Sequence, residues 1–272
     1  MPVATKMEDE VKNKYNSIAS EFHRLRSTNG LFYNEFLDIP NTLKAFGSLR
    51  GKSVLDIACG PGLYAKKLKA RGAKVSGIDI SDKEIEIARR NYKGIDFRVG
   101  SAENLPYRDS SFDYALIALA IMHFDDMLLA LKEANRILKV HGHLIISDMN
   151  PIIAVSKRIS GRPTTYRRFK GYFDERIVYS RWKRVAKHSV YMPAKHHTYQ
   201  TLFSLFREAG FALYRYIDQK PLPSGKKICK RCYTLTSNMP YFTTYDLIKL
   251  SSHERAAIFG TQSGANARKR SV

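Results

Sequence analysis

Residues 53–62, Ser-Val-Leu-Asp-Ile-Ala-Cys-Gly-Pro-Gly, constrain the fold of this chain more than any other stretch. Val54, Leu55, Ile57 and Ala58 form a near-continuous apolar run, as in a strand buried on both faces of a parallel sheet, and the run stops at Gly60 and Gly62. A helical pattern follows at once over 63–70. Strand, glycine turn and helix make a nucleotide entry: backbone without Cβ lets a ligand approach, and the helix start offers unpaired N–H groups. Gly60-Pro-Gly62-Leu-Tyr-Ala65 also satisfies the dinucleotide pattern, whose third position tolerates alanine, so a non-catalytic NAD-binding protein stands as one alternative.

Two carboxylates set this turn apart. Asp56 lies inside the strand, where it needs a polar partner at the strand end. The next strand, 73–78, ends in Asp79, from which a carboxylate can take both hydroxyls of a ribose. Strands near 53–58, 74–79, 95–99, 112–118 and 143–148 alternate with helices near 62–71, 82–92 and 126–139, which predicts a parallel, doubly wound α/β sheet. Ser81 followed by Glu84 reads as a capping box. Ligands of such sheets bind beyond the carboxyl ends of the strands, so the loops at 59–62, 79–81, 101–104, 118–124 and 148–151 should converge. Ahead of this core, Val11, Tyr15, Ile18, Phe22 and Leu25 line one helix face. Behind it, residues 151–195 lose the alternation, and the Gly161-Arg-Pro163 punctuation speaks against one regular helix. A helix carrying Leu202, Leu205, Phe206 and Ala209 then ends at Gly210, and strands follow over 211–217 and 241–249.

Five blocks, in order, carry a family resemblance: Val-Leu-Asp-Ile-Ala-Cys-Gly-Pro-Gly (54–62), Val-Ser-Gly-Ile-Asp-Ile-Ser (75–81), Gly-Ser-Ala-Glu-Asn-Leu-Pro (100–106), Ser-Phe-Asp-Tyr-Ala (111–115) and Glu-Ala-Asn-Arg-Ile-Leu-Lys-Val-His-Gly-His-Leu (133–144). Together they resemble the class I S-adenosylmethionine-dependent methyltransferases, in the ubiquinone-biosynthesis-like branch (methyltransferase type 11). The resemblance implies a Rossmann-like, mostly parallel seven-stranded sheet with an antiparallel last strand, plus an inserted basic lid. The units it implies are a helical cover (1–48), a cofactor-binding core (49–150), the lid (151–195), the rest of the core (196–250) and a tail without regular structure (251–272). It implies S-adenosyl-L-methionine as cofactor, with Gly60 and Gly62 allowing close backbone approach, Asp56 and Ala58 at the strand end, and Asp79 on the ribose. Ile80 packs on the adenine in this reading, Ala102 and Glu103 follow the third strand, and Leu119 lines the methionine end. Ser101 stands where relatives often have aspartate. Tyr15 either touches the methionine end or packs in its apolar stripe. His123 lies where relatives often place a cleft histidine, or serves a helix start. His196, at the end of the lid, is the candidate catalytic base, with packing or capping as its alternative. Ala118-Leu-Ala-Ile121 replaces the Asn/Asp-Pro-Pro-Tyr/Phe signature of enzymes acting on base amines or glutamine amides, which argues against such acceptors.

Charge speaks to partners rather than fold. The chain carries 46 basic and 25 acidic residues, a formal net charge of +21. Residues 1–150 hold 22 basic and 19 acidic residues, and 151–272 hold 24 and 6, so the excess sits in the second half. Within 151–195 the cations interleave with Tyr166, Phe169, Tyr172, Phe173, Tyr179, Trp182 and Tyr191. The leading expectation is a small, anionic methyl acceptor, and the rival is an RNA-directed enzyme that holds phosphates and stacks bases. No apolar run is long enough to span a bilayer, and a cytoplasmic protein is the expectation. Three cysteines are too few for a disulfide framework. Cys229 and Cys232 have metal-ligand spacing that His196 and His197 could complete, but without a second close-spaced cysteine pair the expectation is no metal and two ordinary cysteines in a basic loop.

Overall fold

The computed structural model describes residues 7–27, 32–160, 165–182 and 189–260. Helix α1 (Met7–Ser27) buries Val11, Ile18 and Phe22, so its apolar stripe faces the protein. A π-helical segment, Tyr33–Asp38, runs into the short α2 (Ile39–Thr42). The alternating core then follows as β1 (Ser53–Ile57), α3 (Leu63–Ala70), β2 (Lys74–Asp79), α4 (Asp82–Asn91), β3 (Asp96–Val99) and β4 (Phe112–Ala118). A single 3-10 turn, Ile121–His123, leads to α5 (Met127–Ile137) and β5 (Leu138–Met149). The chain continues through α6 (Pro151–Ala154) into two antiparallel hairpins, β6 (Ser156–Ser160) with β7 (Thr165–Phe169), and β8 (Ile177–Trp182) with β9 (Val190–Lys195). It closes with α7 (Tyr199–Glu208), β10 (Phe211–Asp218), α8 (Gly225–Ile228), α9 (Lys230–Ser237), β11 (Phe242–Lys249) and α10 (Ser252–Phe259).

Seven strands form one sheet in the order β10-β11-β5-β4-β1-β2-β3. The pairs β1–β2, β1–β4, β2–β3 and β4–β5 are parallel, while β11 runs antiparallel to both β5 and β10. Strand alternation divides the core. Leu55, Ile57, Ile117, Leu144 and Ile146 pack with Leu131 and Ala134 of α5 and with Leu202 and Phe206 of α7. Val54, Leu116 and Ile145 face the opposite side, with Ile39, Leu43, Tyr64 and Leu68. Burying each aliphatic side chain of this kind contributes about 1.5–3 kcal/mol.

The helix starts have local causes. Ser81 Oγ accepts from Glu84 N at 3.1 Å, Asp126 Oδ1 from Leu129 N at 2.9 Å, and Thr198 Oγ1 from Thr201 N at 3.2 Å. Strand β5 begins five residues earlier than the pattern over 143–148 suggested. Lys139-Val140-His141-Gly142 is carried as an irregularity in the β4–β5 ladder, with His141 at φ 61°. Beyond the core, the stretch 151–195 contains the hairpins rather than a long helix, and Gly161-Arg-Pro163 lies outside the described residues. The β8–β9 hairpin is tied to α1 through Ile18, Phe22, Val190 and Met192, with Trp182 packed alongside. The tail expected to lack structure from 251 instead forms α10, closed by a reciprocal capping box between Ser251 and Glu254; residues 261–272 lie outside the described part.

Candidate active site

The carboxyl ends of β1, β2, β3, β4 and β5 open into a cleft of about 490 Å³, lined from every one of the loops expected to converge. Its floor is the turn after β1. Gly60 has φ +51°, and its N–H donates to Asp79 Oδ2 at 2.7 Å; Ser81 N–H donates to Asp79 Oδ1 at 2.8 Å. The end of β2 thereby holds the turn after β1. Each carboxylate oxygen keeps a further acceptor site. Burial pushes the Asp79 carboxyl up, against the pull of the two backbone donors. Ala58 and Leu119, at the ends of β1 and β4, both line the cleft in the left-handed region, with φ 55° and 53°. Such conformations cost non-glycine residues about 1–3 kcal/mol and cluster where a ligand needs backbone placed against it.

Helix α1 forms one wall with Val11, Tyr15 and Phe22. It is pinned by Asn16, whose Nδ2 donates to Asp82 Oδ1 at 2.9 Å and whose Oδ1 accepts from Ser81 Oγ at 2.6 Å. The π-helical segment supplies Tyr33, Asn34 and Asp38. Asp38 is wholly buried: its Oδ2 accepts from Tyr64 Oη at 2.6 Å, and its Oδ1 from Thr42 Oγ1 at 3.1 Å and Gln219 Nε2 at 3.0 Å. Burial raises its carboxyl despite these donors.

Of the residues singled out by sequence, Tyr15, Asp56, Ala58, Gly60, Asp79, Ile80, Ala102 and Leu119 come together around this cleft. Two do not. Gly62 has φ +82° and is the N-cap of α3, and a Cβ there would lie 2.8 Å from Phe97 Cζ, so its glycine serves the packing of the turn rather than approach to a ligand. Glu103 turns away to accept from Asp126 N at 2.8 Å, which ties the loop after β3 to the start of α5. Ser101 Oγ, in the place of the frequent aspartate, accepts from Glu103 N at 3.1 Å.

A smaller cavity of about 70 Å³ adjoins the cleft, the two sharing Met122, His123, Met149 and Trp182. Two imidazoles border it with one orientation in common. His123 Nδ1 lies 2.7 Å from Pro193 O, and His196 Nε2 lies 2.8 Å from Tyr172 O, so each of these nitrogens donates to a carbonyl. The opposite nitrogens, His123 Nε2 and His196 Nδ1, are buried and bond to nothing within the protein. Burial pushes His123 down to about 4, so it is neutral at physiological pH. Asp148 borders the same cavity, and burial together with the charge of Asp38 raises its carboxyl to about 7. His196 is thus 2% exposed in the side cavity and absent from the wall of the main cleft, whereas His123 borders both.

The electrostatics of the cleft oppose those of the chain. Glu8, Asp38, Asp56, Asp79 and Glu84 line it, and no lysine or arginine does among the described residues. A pyrophosphate would meet no cation there, whereas a ligand carrying a sulfonium and an ammonium meets carboxylates on several sides. Cys229 and Cys232, expected as two ordinary cysteines in a basic loop, form a disulfide with each other, and no group of three or more His, Cys, Asp or Glu stands ready for a metal among the described residues.

Strand order, the Asp79–Gly60 turn and the acidic cleft define a class, and comparison with known proteins agrees: the chain belongs to the class I S-adenosylmethionine-dependent methyltransferases. A methyltransferase domain model matches residues 55–146. The chain is 33% identical over 162 residues to a demethylmenaquinone methyltransferase of Chlorobaculum tepidum, covering 58% of this chain and 67% of that relative. It is 29% identical over 227 residues to the protein of the same name from Lactococcus lactis, covering 77% and 84%. Among solved structures, an S-adenosylmethionine-dependent methyltransferase from Mesorhizobium loti shares the fold with a TM-score of 0.65 at 22% identity, over 77% of this chain and 96% of that one. The cofactor is therefore S-adenosyl-L-methionine, and the non-catalytic dinucleotide reading falls. Among the described residues no helix is long and apolar enough to cross a membrane.

Proposed function

We propose that this enzyme methylates a small, largely apolar, hydroxyl-bearing acceptor held in the side cavity against the cofactor cleft. The observation that carries this reading is the lining of the cavity: Met122, Met127, Met149, Val178, Trp182 and Met192 surround two imidazoles, each with a buried nitrogen that bonds to nothing within the protein, and one carboxyl of raised pKa. Lys195 is the one lysine or arginine on that wall among the described residues, and its Nζ already donates to Asp125 O. Lys157, Arg168, Lys170, Arg176 and Arg181 are instead exposed, so the charge behind the expected anionic acceptor or RNA lies outside the pocket. The relatives' name, demethylmenaquinone methyltransferase, points to the same chemistry, an apolar ring system bearing oxygen.

The cofactor supplies an electrophilic methyl group on a sulfonium. Asp79 would hold the ribose through the acceptor sites left after Gly60 and Ser81, Ile80 and Ala102 would flank the adenine, and Ala58, Leu119 and Tyr15 would border the methionine end. Tyr15, on the wall of the main cleft, sits edge-on to both His123 and Trp182, which border the two cavities, with ring centroids 6.0 Å apart in each case. His123, which borders both cavities, would accept the acceptor's hydroxyl proton at Nε2, with the Asp148 carboxyl on the wall of the same side cavity. His196, which lines the side cavity alone, would orient the acceptor through Nδ1.

The test is transfer of labelled methyl from S-adenosylmethionine to a panel of neutral phenols and hydroquinones, their carboxylated or phosphorylated analogues, and total RNA. The expected result is label in the neutral aromatic fraction. Label confined to the anionic analogues or to RNA refutes the apolar pocket as the acceptor site.

A further inference from the structure

The disulfide Cys229–Cys232 lies where the chain passes from α8 into α9, and both ends of this passage reach the cofactor cleft. On the entering side, Gly225 packs so closely on the π-helical segment that a Cβ would lie 2.8 Å from Phe32 Cε2 and 2.9 Å from Phe36 Cβ, and Leu222 N–H donates to Phe36 O at 2.7 Å. Tyr33, between those two phenylalanines, lines the cleft. On the leaving side, α9 runs into Tyr241 and Phe242, which line the cleft and meet the Tyr33 ring at 5.0 and 6.2 Å between centroids.

The surroundings favour exchange at sulfur. Both cysteines are half-buried and so reachable. Cys229 is the N-cap of α9, and its Sγ accepts from Cys232 N at 3.1 Å, a contact that favours a thiolate. Lys226, Lys227, Lys230 and Arg231 surround the pair in sequence, and no Asp or Glu occurs from 219 to 245.

We propose that Cys229 and Cys232 form a thiol–disulfide exchange site that tightens the Tyr33–Tyr241–Phe242 wall when oxidised and loosens it when reduced. The proposal rests on this cleft being the cofactor site. A thiolate from a low-molecular-weight thiol attacks Cys232 Sγ, a new S–S bond forms, and the internal bond breaks with Cys229 leaving as the better-stabilised thiolate. A second thiolate attacks the mixed disulfide and frees Cys232. Two external thiols become one disulfide, and the protein pair takes two electrons and two protons. The oxidised pair holds the α8–α9 passage in the arrangement that presents the wall, so ligand meets a preorganised cleft.

The experiment is calorimetric titration of the full chain with S-adenosylhomocysteine, oxidised and then reduced, alongside a glutathione redox titration with and without that ligand. Reduction is expected to weaken binding about fivefold, and by linkage saturating ligand should move the midpoint about 20 mV more negative. The double variant Cys229→Ser, Cys232→Ser should bind as the reduced protein does and ignore glutathione; should it fail to fold, Cys232→Ala serves. Equal affinities in the two states, or a pair that stays oxidised throughout the glutathione range, overturns the proposal. Failure of both states to bind falls on the cofactor assignment, and the glutathione titration then decides the exchange site alone.

Discussion

Replacing Asp79 by asparagine tests the cofactor site at its most connected point. The carboxylate is 9% exposed and accepts one backbone N–H on each oxygen, from Gly60 and from Ser81. Asparagine keeps the shape but offers one acceptor, so its amide group must face one of those two N–H groups as donor against donor. The substitution removes the charge and spoils one of the two ribose contacts outright. A charge-assisted hydrogen bond contributes about 1.5–3 kcal/mol, so losing one and weakening the other amounts to about 2–4 kcal/mol, or roughly 30- to 1,000-fold in affinity. Stability should change less, because the buried N–H left unpaired is offset by no longer burying a carboxylate whose pKa burial has raised. The assay is calorimetric titration with S-adenosylhomocysteine at pH 7.5, on a variant whose circular dichroism matches the wild type. A folded Asp79→Asn protein that binds within threefold of wild type refutes the reasoning and moves the ribose elsewhere.

Asp148 should make the protein less stable as pH rises. Its folded pKa of about 7 lies above the unfolded value of about 3.9, so the native state binds the extra proton and stability falls between roughly pH 4 and 7, by up to about 4 kcal/mol. Urea unfolding of wild type and Asp148→Asn should therefore diverge in favour of the variant across that window, and parallel curves would contradict the buried carboxyl. His123→Ala should lower turnover about 10²-fold with cofactor affinity within threefold of wild type, and His196→Ala should raise KM more than it lowers kcat; the reverse pattern returns the base to His196. Gly62→Ala should cost at least about 1–3 kcal/mol by urea unfolding, since it forces a Cβ onto Phe97 at a left-handed φ, and a neutral result would show that the turn can shift.

Much of the lining of the cleft was legible because it obeys one rule: residues just past the strand ends meet. Gly60, Asp79, Ile80, Ala102 and Leu119 could be placed by counting from apolar runs. Gly62 and Glu103 fail for the same reason, since counting finds the loop but not which way each residue in it points. Tyr33, Asn34 and Asp38 carried no readable signal: π-helical geometry breaks the periodicity that would have announced them, and Asp38's partners lie as far off as Gln219. The orientation of His123 depends on a carbonyl 70 residues away, which no local pattern reports. The spacing of Cys229 and Cys232 suits thiols, a metal or a disulfide equally well, and only the backbone fold of α8 and α9 chooses.

The position of β11 has a consequence for how the chain is made. It is the last of the described strands in sequence but lies between β5 and β10, and no described strand besides β11 pairs with β10. A growing chain that emerges amino end first can assemble β1 to β5, yet β10 then waits without a neighbour, and β5 presents a bare edge carrying Leu144 and Ile146. Ribosomal pausing or truncation anywhere before residue 249 would leave that edge open to strands of other chains. Synthesis of β11 is thus the step that seals this edge of the sheet, and forms of the chain that stop before it should be aggregation-prone.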